Sequence, residues 1–303
     1  MGDPFIGTEA LESGLVTRRS LQRNFARLYP NVYLSTGSTL TAADRAIAAW
    51  LWSGRQTVVS GRSAAALLGS KWVDADASAE LALTRKHAPK LITVHQDKLS
   101  ADEIVRLGEQ SVTTPARTAF DIGRRMAFSP ALVHLDALLR ATQFDVEEVT
   151  SLIDRHVGVR GLVQLRRLLG LVDGGAESPQ ETRTRLLIVR SGMPKPTTQI
   201  RVTDESGWVI ARIDLGWEEW KVGVEFDGAQ HWTDPAQRSR DIDRTAELDD
   251  LGWRLVRVNS EMLRHREGTV ITRVGQALRA AGWRGLTLDQ MTLHNVLRSR
   301  LSA

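Results

Sequence analysis

Residues Asp214 to His231 read DLGWEEWKVGVEFDGAQH. Val222, Val224 and Phe226 alternate in the second half, and Ala211, Ile213 and Leu215 alternate at and just before the start. That period of two predicts two strands around a tight turn. The same alternation turns Arg212 and Asp214 to the other face of the first strand, and Glu225 and Asp227 to the other face of the second. With the turn centred between Glu219 and Trp220, Asp214 lies across from Glu225, with Cβ atoms about 4.5–5.5 Å apart. Carboxylates are disfavoured on strands and repel when directly opposed, so something must offset their cost. Two at this spacing can share one hard divalent cation, because Mg²⁺ takes one or two carboxylates and keeps several waters. An exposed sheet face with scattered acids is the plainer account of the alternation alone.

Two features weigh against the plainer account. Gly228 and His231 fall just past the second strand, where a hydrogen-bonding group could reach a metal-bound water. Glu181 sits in the first turn of a helix, PQETRTRLLIVRSG, with Ser178 as cap, Pro179 at the first helical position and Gly192 at the end. Glu181 also fits a capping box with Ser178, folding back onto the Ser178 amide. The two roles do not exclude each other.

Outward from this hairpin, DGGAESP (Asp173 to Pro179) is a composition break and marks a domain boundary. The 303 residues are enough for two domains, each with its own core. The expected division is 1–40, a helix-turn-helix or winged helix; 41–172, an α/β and then helical linker region; and 176–303, the domain of the hairpin. The fold class is α/β (α+β), with a central mixed sheet in the C-terminal domain. The net charge is +4, with Arg greatly outnumbering Lys; codon bias yields the same balance, so charge alone assigns no partner. There is no Cys, which excludes disulfides and thiolate metal sites. No apolar run approaches the roughly 20 residues of a membrane span, and the N-terminus carries no signal-like segment. The reading is a soluble cytoplasmic protein.

In the N-terminal half, TEALESG reads as a short helix and TRRSLQRNFARLY as a second, capped by Thr17, before a strand NVYLS. Arg18, Arg19, Gln22 and Arg23, with Arg27, lie largely away from Leu21, Phe25 and Leu28, the composition of a helix that meets phosphates or base edges. A solvated basic face is the alternative. Residues 42–52 read as a buried helix, and a strand running into a short helix follows from Thr57. AELALT and LITVHQ are two further strands, and the chain from Thr113 to Val172 is helical. Asp121, His134 and Asp136, within that region, are read as solvated or capping residues.

The acid on a first helix, Asp on one strand and Glu on the next resemble the PD-(D/E)XK nuclease superfamily. SPQETRTRLL, RIDLGW, VGVEFDGAQHW and RSRDIDRTAELDDLGWRLVRV resemble its very-short-patch-repair endonuclease branch in particular, over about Ala176 to Gln276. The N-terminal half, through SGLVTRRSLQRNFARLYPNVYLS, VVSGRSAAALLG and VTTPARTAFD, more loosely resembles the winged-helix and linker region of type IV abortive-infection antitoxins.

The resemblance implies Mg²⁺- or Mn²⁺-dependent phosphodiester hydrolysis of DNA. Asp214 and Glu225, helped by Asp227 or the Phe226 carbonyl, would bind the metal. Glu181 would orient a second metal or a water, and His231 is a candidate general acid or base. Arg240 and Arg244 would face the scissile phosphate, with pairing to Asp241 and Asp243 as the alternative. The superfamily Lys two residues after the Glu is Asp227 here. Lys221 lies about 13 Å from Glu225 along an extended strand, and the close branch also lacks that Lys, so the identity of the base stays open. The expected function is a DNA endonuclease or nickase docked by the N-terminal winged helix. A non-catalytic DNA-binding regulator resembling an antitoxin, and an RNA nuclease, are the alternatives. A homodimer is compatible with the sequence.

Overall fold

The computed structural model describes residues 3–82, 87–228 and 235–300, with side chains over 3–82, 87–228 and 243–297. The chain packs into two compact units. The first comprises residues 1–126 and 137–172, and the second 127–136 and 173–303.

The first unit opens with β1 (Phe5–Ile6), α1 (Gly7–Glu12), α2 (Arg18–Asn24), β2 (Phe25–Tyr29) and β3 (Val32–Ser35). Thr17 caps α2, its hydroxyl accepting from the Ser20 amide at 3.1 Å. The second helix therefore ends five residues before the expected position, because FARLY pairs antiparallel with β3. The spacing of Leu21, Phe25 and Leu28 imitates a helix. Tertiary contacts override it: Phe25 meets Phe5 edge-on at 5.0 Å, and Asn31, at φ 62°, closes the hairpin. The three strands lie in the order β1-β3-β2.

α3 (Ala42–Trp52) follows, started by a reciprocal Thr41–Asp44 cap. Next come β4 (Val58–Val59), α4 (Gly61–Leu67), β5 (Ala79–Ala82), β6 (Ile92–His95), β7 (Ile104–Leu107) and β8 (Gln110–Thr113). These strands form a mixed sheet in the order β6-β5-β4-β8-β7. Tyr29 and Val32 share one core with α3, Val59, Leu81 and Val112. Helices α5 (Pro115–Arg125), α6 (Phe128–Thr142, of which residues 128–136 belong to the second unit), α7 (Val146–Arg155) and α8 (Leu162–Leu169) follow. β1, β7 and β8, at two to four residues, are too short to carry a period of two, which is why the sequence does not announce them.

Asp121 is neither solvated nor a cap. It is 1% exposed, accepts from Arg117 and Arg124, and forms an ion pair with Arg125. Arg117, equally buried, also donates to Glu103. The partners of Asp121 lie three and four residues away on α5, whereas Glu103 reaches Arg117 from a separate segment, and local pattern alone could not show that these charges are buried.

The second unit contains α9 (Pro179–Arg190), β9 (Thr197–Thr203), β10 (Val209–Trp217), β11 (Val222–Phe226), α10 (Pro235–Asp250), β12 (Arg254–Val258), α11 (Ser260–His265), α12 (Glu267–Ala280) and α13 (Leu288–Arg300). α11 and α13 go beyond the expected elements. The sheet order is β12-β11-β10-β9, antiparallel except for the parallel β11–β12 pair. Leu187, Leu215, Val224, Val258, Ile271 and Val274 belong to one core. Ile200, Ala211, Ile213, Leu248 and Trp253 belong to a second. Asp136 is also buried rather than solvated. It accepts from Arg185 at 2.6 Å, Thr182 at 2.9 Å and the Asp173 amide at 2.9 Å, and so anchors α9. Among the described residues, no helix is long and apolar enough to cross a membrane.

Candidate active site

The β10–β11 ladder pairs Leu215 with Val224, Gly216 with Gly223 and Trp217 with Val222, the register of a turn centred between Glu219 and Trp220. Continued one step, it sets Asp214 opposite Glu225. The strand, however, does not present one apolar and one acidic face. Ala211 and Ile213 pack in one core, and Leu215 and Trp217 in the other. A Cβ on Gly223 would lie 2.8 Å from Ile213, which fits the same switch of sides. The alternation breaks at Asp214, and both faces of the sheet are covered.

At this break the Asp214 Oδ2 accepts from the Phe226 amide at 2.9 Å. Its carboxyl is pushed above the usual range chiefly by burial, against the pull of that amide, Arg244 and Arg212. Glu225 pairs with Arg244 of α10, and the Arg244 charge also acts on Asp214. One guanidinium thus acts on both acids, pairing with Glu225 and sharing its pull on Asp214 with Arg212. Arg244 does not take up the alternative partner Asp243, which is exposed.

Glu181 stands beside this pair. Ser178 caps α9, accepting from the Glu181 amide at 3.2 Å. The Glu181 carboxylate accepts from the Glu177 amide at 2.7 Å, not the Ser178 amide, and from the Ser178 hydroxyl at 2.8 Å. Burial raises its pKa, and the Asp214 charge adds to the shift. Asp227 is half-buried just past β11, with its amide donating to Val258 at 2.8 Å. Lys221 turns away and donates to the Leu251 carbonyl at 2.8 Å. His231, and the side chain of Arg240, lie outside the described residues.

Two residues escaped the sequence reading. Gln199 of β9 holds the row of Asp214, since Ile200 pairs with Ile213 and Thr198 with Leu215. It adopts φ 55° and donates to Glu181 at 3.0 Å, while its Oε1 is buried without a partner among the described residues. Backbone strain of this kind persists where the surroundings enforce it and collects at functional sites. On the other flank, Arg257 of β12 is in register with Glu225 and donates to Thr245 at 3.1 Å. The alternation in WRLVRV could have pointed to Arg257; nothing local points to Gln199.

The donor set fits a hard divalent ion. Asp214, Glu225 and the neighbouring backbone carbonyl of Phe226 are all oxygen donors, and Mg²⁺ needs only one or two carboxylates. Among the described residues no group of three or more carboxylate, His or Cys side chains converges on one centre. Two consequences are testable. In metal-free protein, Arg244→Met is expected to raise Mn²⁺ affinity about 3–10-fold, since it removes a competing cation whose partly exposed ion pair is worth ~1 kcal/mol; titration calorimetry measures this, and unchanged affinity contradicts it. The raised Asp214 pKa sets the sign of the second. The folded protein holds that proton more tightly than the unfolded chain, so ionising it costs stability as pH rises through the folded value. Asp214→Asn, which keeps an acceptor for the Phe226 amide, is therefore expected to melt above wild type in EDTA at pH 8. The gap should narrow as pH falls toward the ordinary carboxylate range; a gap constant with pH, or a less stable variant, contradicts the assignment.

The sheet and its flanking helices define a class, an α/β domain built on a four-stranded mixed sheet. The family model REase_MTES_1575 matches residues 197–278, the stretch from β9 into α12. The uncharacterized protein Rv2248 of Mycobacterium tuberculosis (strain H37Rv) is 31% identical over 194 residues, which cover 64% of this chain and 70% of that protein. The uncharacterized protein MT2308 of strain CDC 1551 matches to the same extent. The chain belongs to the family of these mycobacterial proteins, and its C-terminal unit carries the restriction-endonuclease-like domain.

Proposed function

We propose that this protein is a metal-dependent DNA endonuclease or nickase. The observation that carries the reading is the gathering of Asp214 and Glu225 about Arg244, with Glu181 beside them. Asp214, Glu225 and the Phe226 carbonyl hold Mg²⁺ or Mn²⁺, with Asp227 at the rim. When bound, the ion polarises a phosphoryl oxygen and lowers the pKa of the attacking water. Arg244, released from Glu225, turns its charge to the scissile phosphate, and Arg257 supports it from the adjacent strand. Glu181, fixed by Gln199 and the Glu177 amide, orients a water. The sequence resemblance adds His231 as general acid or base and Arg240 as a phosphate contact. Likeness to the very-short-patch-repair branch supports this assignment.

The division into 1–40, 41–172 and 176–303 gives the N-terminal part the role of DNA docking in a soluble, cytoplasmic enzyme. Arg18, Arg19, Gln22 and Arg23 are all exposed on or near α2, as a phosphate-contacting face requires. Arg18→Ala with Arg19→Ala is expected to reduce the slope of log affinity against log salt by about 0.9 per lost phosphate contact; an unchanged slope assigns that face to solvent. The Arg244–Glu225 pair favours one second reading, a DNA-binding regulator resembling an antitoxin, since the pair neutralises an acid without metal. Purified protein with Mn²⁺, challenged with plasmid, mismatched duplex, single-stranded DNA and RNA, separates the readings. Cleavage that EDTA stops supports the nuclease, and EDTA-tolerant binding without cleavage supports the regulator.

A further inference from the structure

A second feature of the C-terminal unit lies outside the acid set. Gln180, Arg183, Leu187 and Arg190 follow one another on α9 at spacings of three and four residues, hence on one face of the helix. That face lines a pocket of about 220 Å³ together with α11 and the start of α12. Arg264 of α11 enters it from the opposite wall. Three guanidinium groups thus meet one carboxylate there, that of Glu267, which is engaged by Asn295 at 3.2 Å. Arg183 and Arg264 are exposed and have no ion pair or hydrogen bond among the described residues. The Arg190 guanidinium lies over the Phe128 ring at 5.6 Å, and its Nε is buried without a hydrogen-bond partner among the described residues. Ser129 and Ser260 add hydroxyls at the walls.

Arg190 is the half-buried one of the three, and a cation withdrawn from water is costly unless an anion meets it. Guanidinium groups match phosphate oxygens in geometry as well as charge. The pocket is smaller than the roughly 300 Å³ at which drug-sized ligands are enclosed, so it suits a phosphate group better than a large organic molecule. Its position is informative as well. Gln180 lines the pocket while Glu181, the next residue, stands beside Asp214. A strand lying over the first turn of α9 would therefore present one phosphate to the acids and another to the arginines.

We propose that Arg183, Arg190 and Arg264 form a phosphate-binding subsite that seats a phosphate of the nucleic-acid strand flanking the one at the acid site. The nuclease reading supplies only the source of this phosphate; a free nucleotide is the other source of the same chemistry.

The test uses the full chain and the Arg183→Ala/Arg264→Ala double variant, whose two side chains are exposed. Both are titrated with inorganic phosphate and with dAMP by calorimetry. Duplex affinity is then measured in Ca²⁺ between about 50 and 200 mM salt. The subsite predicts that wild type takes up phosphate, that the double variant loses this uptake, and that its salt slope falls by about 1–2, the weight of one or two phosphate contacts. Loss of phosphate and dAMP uptake with an unchanged slope upholds the pocket and assigns it to a free nucleotide. No phosphate uptake by wild type, together with an unchanged slope, overturns the proposal. If wild type binds no duplex at all, the nuclease reading fails, while the phosphate titration still decides the pocket.

Discussion

Asp214→Ala is expected to lower Mn²⁺-dependent strand cleavage by about 10²–10³-fold or more, the usual cost of removing a group that sets the electrostatics of a reacting centre. Duplex affinity in EDTA should stay within about threefold of wild type, because a buried carboxylate next to a phosphate contributes repulsion, not attraction. The fold should survive. Asp214 sits where the alternation of β10 breaks, so its side chain fills neither core, and the substitution removes a carboxyl that burial already disfavours. The two readouts together are diagnostic. Loss of cleavage with intact binding is the signature of a metal-holding acid, and loss of both would mean that the variant has unfolded. Cleavage at the wild-type rate would remove Asp214 from the chemistry.

The second large effect concerns stability, in the first unit. Arg117→Met is expected to destabilise that unit by about 3–5 kcal/mol, the cost of breaking a buried ion pair from one side. Arg117 and its partners Glu103 and Asp121 are each 1% exposed. Arg117 Nε donates to Asp121 at 3.1 Å and Nη1 donates to Glu103. Met fills much of the volume but leaves Glu103 with His156, at 2.8 Å, and the distant end of Arg155, at 3.7 Å. Asp121 keeps Arg124 at 3.0 Å, so Glu103 bears most of the loss. Urea melts followed by far-ultraviolet dichroism measure the effect, and a change below about 1 kcal/mol would show that the network is solvated in solution. Cleavage at low temperature, before the first unit melts, should persist, since no residue of the acid set belongs to that unit.

What the sequence disclosed follows the range of the forces involved. Ser178, Pro179 and Gly192 are local signals, and α9 starts and ends with them. The hairpin register was legible because turn position and alternation act within a few residues. The single break at Asp214 was not, because it depends on which distant side chains cover each face of the sheet. FARLY has the apolar spacing of a helix, and only its pairing with β3 makes it a strand. Asp136 looked like a surface acid because its arginine arrives from elsewhere in the fold, and Asp121 because the arginines one turn away on its own helix do not reveal that the site is buried. Gln199 and Arg257 join the row of Asp214 and Glu225 through pairings of β9 and β12 that no short window contains.

The central claim is that Asp214 and Glu225 together hold a divalent cation, and the most direct measurement is a Mn²⁺ titration of the full chain followed by electron paramagnetic resonance. Wild type is expected to bind Mn²⁺ in competition with Mg²⁺, and Asp214→Asn and Glu225→Gln should each lose that ion while remaining folded. Equal Mn²⁺ uptake by wild type and both variants, or none by wild type even with duplex present, would contradict it.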